Sequence, residues 1–203
     1  MRMILASALI GTLSVTAPES QTSPETRPSG LLERAFTANG RISMDLSAGE
    51  YRISGTPDQR IRLDWSVRDR ETLSQVRARA DVRGREAAIT TDTPNNGNVK
   101  VTIEVPARAD LHVRLTAGRL TIEDIEGNKD VALHAGELNI DVGRAEDYNR
   151  VEASVWAGEV NATPYHENKG GLFRSFDWRG SGPYRLAAHL KAGEVRLYSK
   201  LRH

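Results

Sequence analysis

The 203-residue chain carries 28 lysines and arginines against 27 aspartates and glutamates, so its net charge of +1 gives no field that favours nucleic acid or an anionic membrane surface. Cysteine is absent, which excludes disulfides, thiolate metal sites, cysteine nucleophiles and a lipidated N-terminal cysteine. The hydrophobic fraction of 38% is sufficient for one folded domain with a buried core.

The N-terminal segment predicts export. Arg2 precedes an apolar stretch from Ile4 to Val15, and Val15-Thr16-Ala17 supplies small residues at its end. This layout is typical of a secretory signal peptide and is too short for a membrane-spanning helix. We therefore assign residues 1–17 to a signal peptide, 18–31 to a flexible linker rich in proline and serine, and 32–203 to the domain. The alternative is that the apolar stretch forms a strand of the domain.

The domain begins with alternating sequence. Segments 41–46, 61–67 and 99–105 alternate apolar and polar residues with many β-branched side chains, which predicts half-buried strands. Residues 76–82 and 87–91 can form a hairpin across 83–85, although 71–80 can also form a short helix. Nothing else in the chain has a helical pattern, so the predicted class is all-β.

A repeat of the form Ala-Gly-x-hydrophobic-x-hydrophobic then fixes the predicted architecture. Its copies are AGEYRI (48–53), AGRLTI (117–122), AGELNI (135–140), AGEVNA (157–162) and AGEVRL (192–197). Aligned on glycine, they give inward columns that contain Leu46, Leu115, Leu133, Val155 and Leu190; Tyr51, Leu120, Leu138, Val160 and Val195; and Ile53, Ile122, Ile140, Ala162 and Leu197. Stacked strand–turn–strand units predict a β-solenoid or a closely related layered β-rung fold.

The repeats resemble a known family. The segment IEVPARADLHVRLTAG (103–118), followed by AGELNI and AGEVNA, is similar to the putative-adhesin family of exported bacterial proteins, whose repeated rungs have been likened to a toast rack. The segment GGLFRSFDWRGSGPYRL (170–186) resembles the C-terminal end of such proteins. This resemblance covers roughly residues 36–198. It implies an all-β layered fold, export and a cell-envelope setting, and it carries no catalytic residues.

A column of glutamates forms the first candidate for chemistry. Glu50, Glu137, Glu159 and Glu194 follow the turn glycines, and Arg119 interrupts the column. Carboxylates on adjacent rungs would lie about 5 Å apart, near the separation used by retaining glycosidases. They could also bind a hard cation such as calcium. The plainer interpretation is a row of solvated residues that discourages association between sheets.

A second outward column supplies the candidate binding residues. It contains Ser47, Thr116, His134, Trp156 and Lys191. Alternation turns Trp156 towards water, where an indole beside His134 and Lys191 could stack on a sugar ring or on another protein. Trp178 is a further candidate. The alternative is that the loop at 164–185 covers Trp156.

That loop region is rich in aromatic residues. Tyr165, Phe173, Phe176, Trp178 and Tyr184 are five of the eleven aromatics of the chain. A solenoid needs its open end covered, so we expect Phe173, Phe176 and Trp178 to cap the terminal rung, with a recognition surface as the alternative.

These patterns predict a non-catalytic, exported protein of the cell envelope. Its function would be binding or adhesion, or that of an envelope accessory module, with an envelope protein or a glycan as partner and no nucleic acid. No cofactor motif or metal-ligand spacing is present, so we expect no cofactor, no metal site and no catalytic residue. The alternative function is a carbohydrate-active β-helix enzyme that uses the surface carboxylates.

Overall fold

The computed structural model of the protein describes residues 27–94 and 98–200. Its strands are β1 (Ser29–Ala35), β2 (Gly40–Leu46), β3 (Gly49–Thr56), β4 (Arg60–Ser66), β5 (Arg77–Arg83), β6 (Glu86–Asp92), β7 (Lys100–Pro106), β8 (Ala109–Glu123), β9 (Lys129–Asp141), β10 (Tyr148–Ala162), β11 (Glu167–Arg179) and β12 (Tyr184–Tyr198). One helix, α1 (Arg70–Gln75), and two 3-10 turns at Ala145–Asp147 and Thr163–Tyr165 complete the described elements. The all-β class is confirmed.

Only the last residues of the predicted N-terminal segments, from residue 27 onwards, belong to the described structure. The predicted signal peptide lies outside the described residues. No helix in the described ranges is long and apolar enough to cross a membrane. Strand β1 begins at Ser29 and pairs antiparallel with β4, so the last residues of the segment predicted as a linker belong to a strand.

Five long strands, β8 to β12, cross the whole sheet, and the short strands pair with either the first or the second half of β8. The first half of β8 pairs in parallel with β2, which continues to β6 and β5. The second half of β8 pairs in parallel with β3, which continues to β7, β4 and β1. We call these two rows the β2 leg and the β3 leg. Strands β8, β9, β12, β10 and β11 follow one another across the sheet and belong to both legs.

The order of the long strands differs from the order of the repeats in the chain. Strand β12 lies between β9 and β10 and runs parallel to both. Strand β11 then pairs antiparallel along the whole of β10 and forms the edge of the sheet. The predicted excursion at 164–185 is therefore mainly a strand rather than a capping loop.

A ladder of glycines joins the two legs. Gly49, Gly118, Gly136, Gly193 and Gly158 are paired in register from strand to strand. Gly136 has a φ of +130°, and a Cβ built on it would overlap the carbonyl group of Gly118 on the neighbouring strand. The ladder therefore requires glycine for two reasons, the backbone conformation and the close approach of the next strand.

The predicted inward columns are confirmed. Every member of the three columns is buried, and the members are paired in register across β2 or β3, β8, β9, β12 and β10. They belong to one continuous hydrophobic core. Equivalent apolar side chains thus stack one strand spacing apart, about 4.8 Å. Residues 68–88 contain both the short helix and the hairpin that were predicted as alternatives. Helix α1 comes first, and β5 and β6 then form the hairpin.

One buried polar group was not predicted. Lys129 begins β9, and its side chain is inaccessible to solvent. Its Nζ donates hydrogen bonds to the carbonyl of Ile125 at 2.8 Å and to the hydroxyl of Tyr148 at 2.7 Å. Burial, partly opposed by the field of Asp141, lowers the pKa of Lys129 to about 7.

The glycine ladder generates a stability prediction. Gly136→Ala places a methyl group against the Gly118 carbonyl and strains the backbone, so we expect a loss of about 2–4 kcal/mol in the free energy of unfolding, measured by denaturant titration. Gly170→Ala is the matched control, because a Cβ at Gly170 has no neighbour within 4 Å. If the two variants were equally stable, the close contact between Gly136 and the Gly118 carbonyl would be contradicted.

Buried Lys129 generates a pH prediction. The unfolded state keeps the lysine proton up to its ordinary pKa of 10.5, whereas the folded state releases it near 7. The unfolded state therefore binds more protons in this interval, and stability should rise as pH increases from 7 to about 9. Lys129→Met should reduce this rise in a denaturant titration at each pH. Lys100→Met, at an exposed lysine, should retain it. If the free energy of unfolding rose equally with pH in both variants, Lys129 would not be the group responsible.

Candidate contact surface

One outward position is repeated on the last strands of the sheet. His134 on β9, Lys191 on β12 and Trp156 on β10 each stand between registered pairs, next to the Ala-Gly corner of their strand. Phe173 occupies the corresponding position on β11. We call these residues the Trp156 surface. The sequence predicted that His134, Lys191 and Trp156 share a column, and the structure brings them together on the β2 leg.

The aromatic end of this surface is open to solvent. Trp156 is 59% exposed and Phe173 is 74% exposed. Their ring centroids lie 6.0 Å apart at an interplanar angle of 50°. Leu172, next to Phe173, is 64% exposed. The alternative prediction was that the loop at 164–185 covers Trp156. Instead, this segment forms β11, which places a second exposed ring beside the indole. Contiguous exposed apolar side chains of this kind are characteristic of contact sites.

Lys191 differs from the other lysines in lacking a partner. Lys100, Lys169 and Lys200 pair with glutamates at 3.0, 3.2 and 2.9 Å, and Lys129 is buried. Lys191 is exposed and forms no ion pair within residues 27–94 and 98–200. The ammonium group of Lys191 therefore stands beside Trp156 with no carboxylate partner among the described residues.

The next row outward on the same leg is polar. His189 on β12 and Ser154 on β10 are registered partners, and the Ser154 hydroxyl lies 2.8 Å from Nδ1 of His189. Ala132 on β9 pairs with His189, and Ser175 on β11 pairs with Ser154. Hydroxyl and imidazole groups therefore border the aromatic pair on one side.

The aromatic residues of β11 separate into inward and outward sets. Phe176 pairs with Ala153, is only 6% exposed and lies 5.5 Å from Tyr165, ring to ring. Trp178 packs on the same tyrosine at 4.9 Å and is half-buried against the core. The predicted cap is correct for Phe176. It is wrong for Phe173, because the antiparallel register turns that side chain to the outer face.

Trp178 is therefore separate from the other candidate binding residues. Its registered partner is Val151, a core residue, whereas Trp156 faces solvent. A binding role for Trp178 stays a prediction from the sequence, and its position on the core side makes it a poorer candidate than Phe173. The sequence left Phe173 open between a cap and a recognition surface, because nothing in it specifies the register of β11.

The glutamate column lies on the β3 leg and is largely ion-paired. Glu137 accepts a hydrogen bond from Nε of Arg119 at 2.7 Å, and Glu194 pairs with Arg196 at 2.6 Å. Glu50 pairs with Lys100. The Arg119 guanidinium lowers the pKa of Glu137, which is the opposite of the raised pKa that a general acid needs. The described residues also contain no group of three or more histidines, aspartates or glutamates that could hold a metal ion.

The β-strand ends line a cavity of about 440 Å³. Its lining includes Asp141, Asp147 and Arg144. Arg144 binds Asp147 at 2.7 Å, and Oδ1 of Asp141 accepts the backbone N–H groups of Gly143 and Lys200. These carboxylates therefore hold the adjoining loops in place.

Comparison with known proteins supports the fold. No family model and no curated protein matches the sequence. The chain is similar to the crystal structure of a putative cell adhesion protein from Clostridium sporogenes, at 13% identity and a TM-score of 0.57, over 85% of this chain and all of the other. A putative adhesin from Bacteroides fragilis is 8% identical over 85% of this chain and 98% of its own, with a TM-score of 0.27. The first similarity shows a shared fold.

The division of the β11 aromatics generates a paired prediction. Phe176→Ala removes a buried ring and should lower the free energy of unfolding by about 3–5 kcal/mol. Phe173→Ala, on the same strand, should change it by less than about 0.5 kcal/mol because the ring is exposed. Thermal and denaturant unfolding of both variants measure this difference. A Phe173→Ala protein as unstable as Phe176→Ala would contradict the outward register.

Proposed function

We propose that this protein is an exported, non-catalytic binding protein of the cell envelope and that it contacts its partner through the Trp156 surface. The observation that carries the proposal is the exposed pair of aromatic rings, Trp156 and Phe173, on a regular sheet face. The fold shared with the putative cell adhesion protein from Clostridium sporogenes supports the same function.

The exposed rings of Trp156 and Phe173 can contribute to the free energy of binding. Large aromatic side chains lose favourable burial when they face water, and they recover it when a partner covers them. Residues of this type, with charged or polar neighbours, dominate the affinity of many interfaces. Trp156 and Phe173 are held on paired strands, so little conformational entropy is lost when a ligand orders them.

The repeated architecture supports a binding role. The parallel register of the Ala-Gly strands supports a layered fold of the β-solenoid type, and the stacked strands present equivalent positions at a constant spacing. A partner with its own repeat, such as a glycan, or a flat protein surface suits such a face. We assign the partner to these two classes, an envelope glycan or an envelope protein.

Export rests on the N-terminal sequence. Residues 1–17 have the layout of a signal peptide. The resemblance to exported adhesin-like proteins supports the same location. The enzyme alternative is less favoured, because the glutamates it would use are paired with arginine or lysine at Glu137, Glu194 and Glu50.

A truncation of the indole tests the contact surface. Trp156→Ala should weaken capture on a glycan array or of purified envelope proteins by about tenfold or more, while the free energy of unfolding changes by less than about 0.5 kcal/mol. Leu31→Ala is the control, since Leu31 is 54% exposed on β1 at the opposite end of the strand order.

Two results would contradict the proposal. One is a Trp156→Ala protein that captures the same partners as the wild type. The other is an equal loss of capture in the Leu31→Ala protein, which would show that exposed apolar area in general, rather than this surface, is responsible.

A further inference from the structure

We propose that the ligand of the Trp156 surface is an acidic polysaccharide, with a sugar ring on Trp156 and a ring carboxylate on Lys191. This inference rests on the proposed function and adds the chemical class of the ligand. Trp156 and Lys191 lie directly opposite each other on β10 and β12, because their neighbours Val155 and Leu190, and Ala157 and Ala192, are registered pairs. Adjacent strands are about 4.8 Å apart, which brings an indole and an ammonium group within reach of one sugar residue.

The first supporting observation is the unpartnered cation. Of the lysines on the described surface, Lys191 is the one without a carboxylate partner. A free ammonium beside an exposed indole offers both a charge and an apolar face to the same ligand. A uronic acid residue matches this pair, since one molecule carries an apolar ring face and a carboxylate.

The second observation is the charge of the surrounding face. Two rows of the β2 leg across β9, β12, β10 and β11 contain no carboxylate. The members of these rows are His134, Lys191, Trp156, Phe173, Ala132, His189, Ser154 and Ser175. The hydroxyl and imidazole groups can donate hydrogen bonds to sugar oxygens, and nothing in the two rows repels an anion.

The nearest carboxylates of the same leg are already paired. In the following row, Asp130 accepts from Arg114 at 3.2 Å, and Glu152 pairs with Arg150 at 2.5 Å. Asp177 also pairs with Arg150, at 3.0 Å. Across β9, β12, β10 and β11, the uncompensated charge of these three rows therefore belongs to Lys191. The glutamate column lies beyond the glycine corner, on the β3 leg.

Other classes of ligand fit this surface less well. Anionic membranes are bound by clusters of about four to eight lysines and arginines, whereas the four residues of the Trp156 surface include one lysine and no arginine. Acidic peptide motifs are usually recognised by clusters of arginines, and the Trp156 surface contains no arginine. The Trp156 surface is a sheet face, with its rings 6.0 Å apart along the strand order. An extended polysaccharide can lie across the strands and contact successive members of the row.

Matched polymers test the proposal by isothermal titration calorimetry. The probes are polygalacturonate, alginate and hyaluronate, with methyl-esterified polygalacturonate as the uncharged control. We expect at least one acidic polymer to bind. If that polymer is polygalacturonate, its esterified form should bind about fivefold or more weakly. Lys191→Gln should weaken acidic-polymer binding by about fivefold, and Lys191→Arg should retain most of it. Lys100→Gln, at a lysine paired with Glu50, should leave binding unchanged.

The outcomes separate this inference from the proposed function. Failure of all three acidic polymers to bind, equal affinity for charged and esterified polygalacturonate, or no effect of Lys191→Gln would overturn the acidic ligand. Lys191-dependent binding to phosphatidylglycerol vesicles without polymer binding would assign the surface to a membrane instead. In each case, the proposed function would still hold if Trp156→Ala weakened the binding of a different partner. A Trp156→Ala protein with unaltered binding to every partner would overturn both.

Discussion

The close approach of backbones at the glycine ladder is the constraint on which the other features of this protein depend. A Cβ at Gly158 would overlap the carbonyl of Gly193, and Gly136 and Gly118 stand in the same relation. No residue with a side chain fits these positions, so the strands can stack in only one register. That register brings the apolar columns into contact on the inner side. It also aligns the residues on the outer side that precede each corner.

Alternation and the glycine repeat made the inner columns predictable, because side chains in a strand alternate between faces and the glycines align the copies. The same pattern placed His134, Lys191 and Trp156 in one outward column. The order of the strands could not be predicted. Each copy of the repeat is compatible with any neighbouring copy, so nothing in the sequence indicates that β12 lies between β9 and β10 while β11 returns antiparallel along β10.

Phe173 and Lys129 show why other parts of the structure were missed. Sequence places Phe173 in an aromatic cluster that suggests a cap, but its face depends on the pairing of β11 with β10. Lys129 stands at the beginning of a strand, where a lysine usually faces water. Its amino group is satisfied by the nearby Ile125 carbonyl and by the Tyr148 hydroxyl, which comes from β10. Both outcomes are set by tertiary contacts that have no local signal.

The strand order also determines what the outer face can bind. Because β12 lies inside the sheet, Lys191 stands between His134 and Trp156 rather than at the edge. Because β11 forms the edge, Phe173 extends the aromatic area beyond Trp156. The face therefore changes along one row from imidazole to ammonium to paired aromatic rings. A ligand that lies across the strands meets charge and apolar area in sequence, which is a more selective requirement than either feature alone.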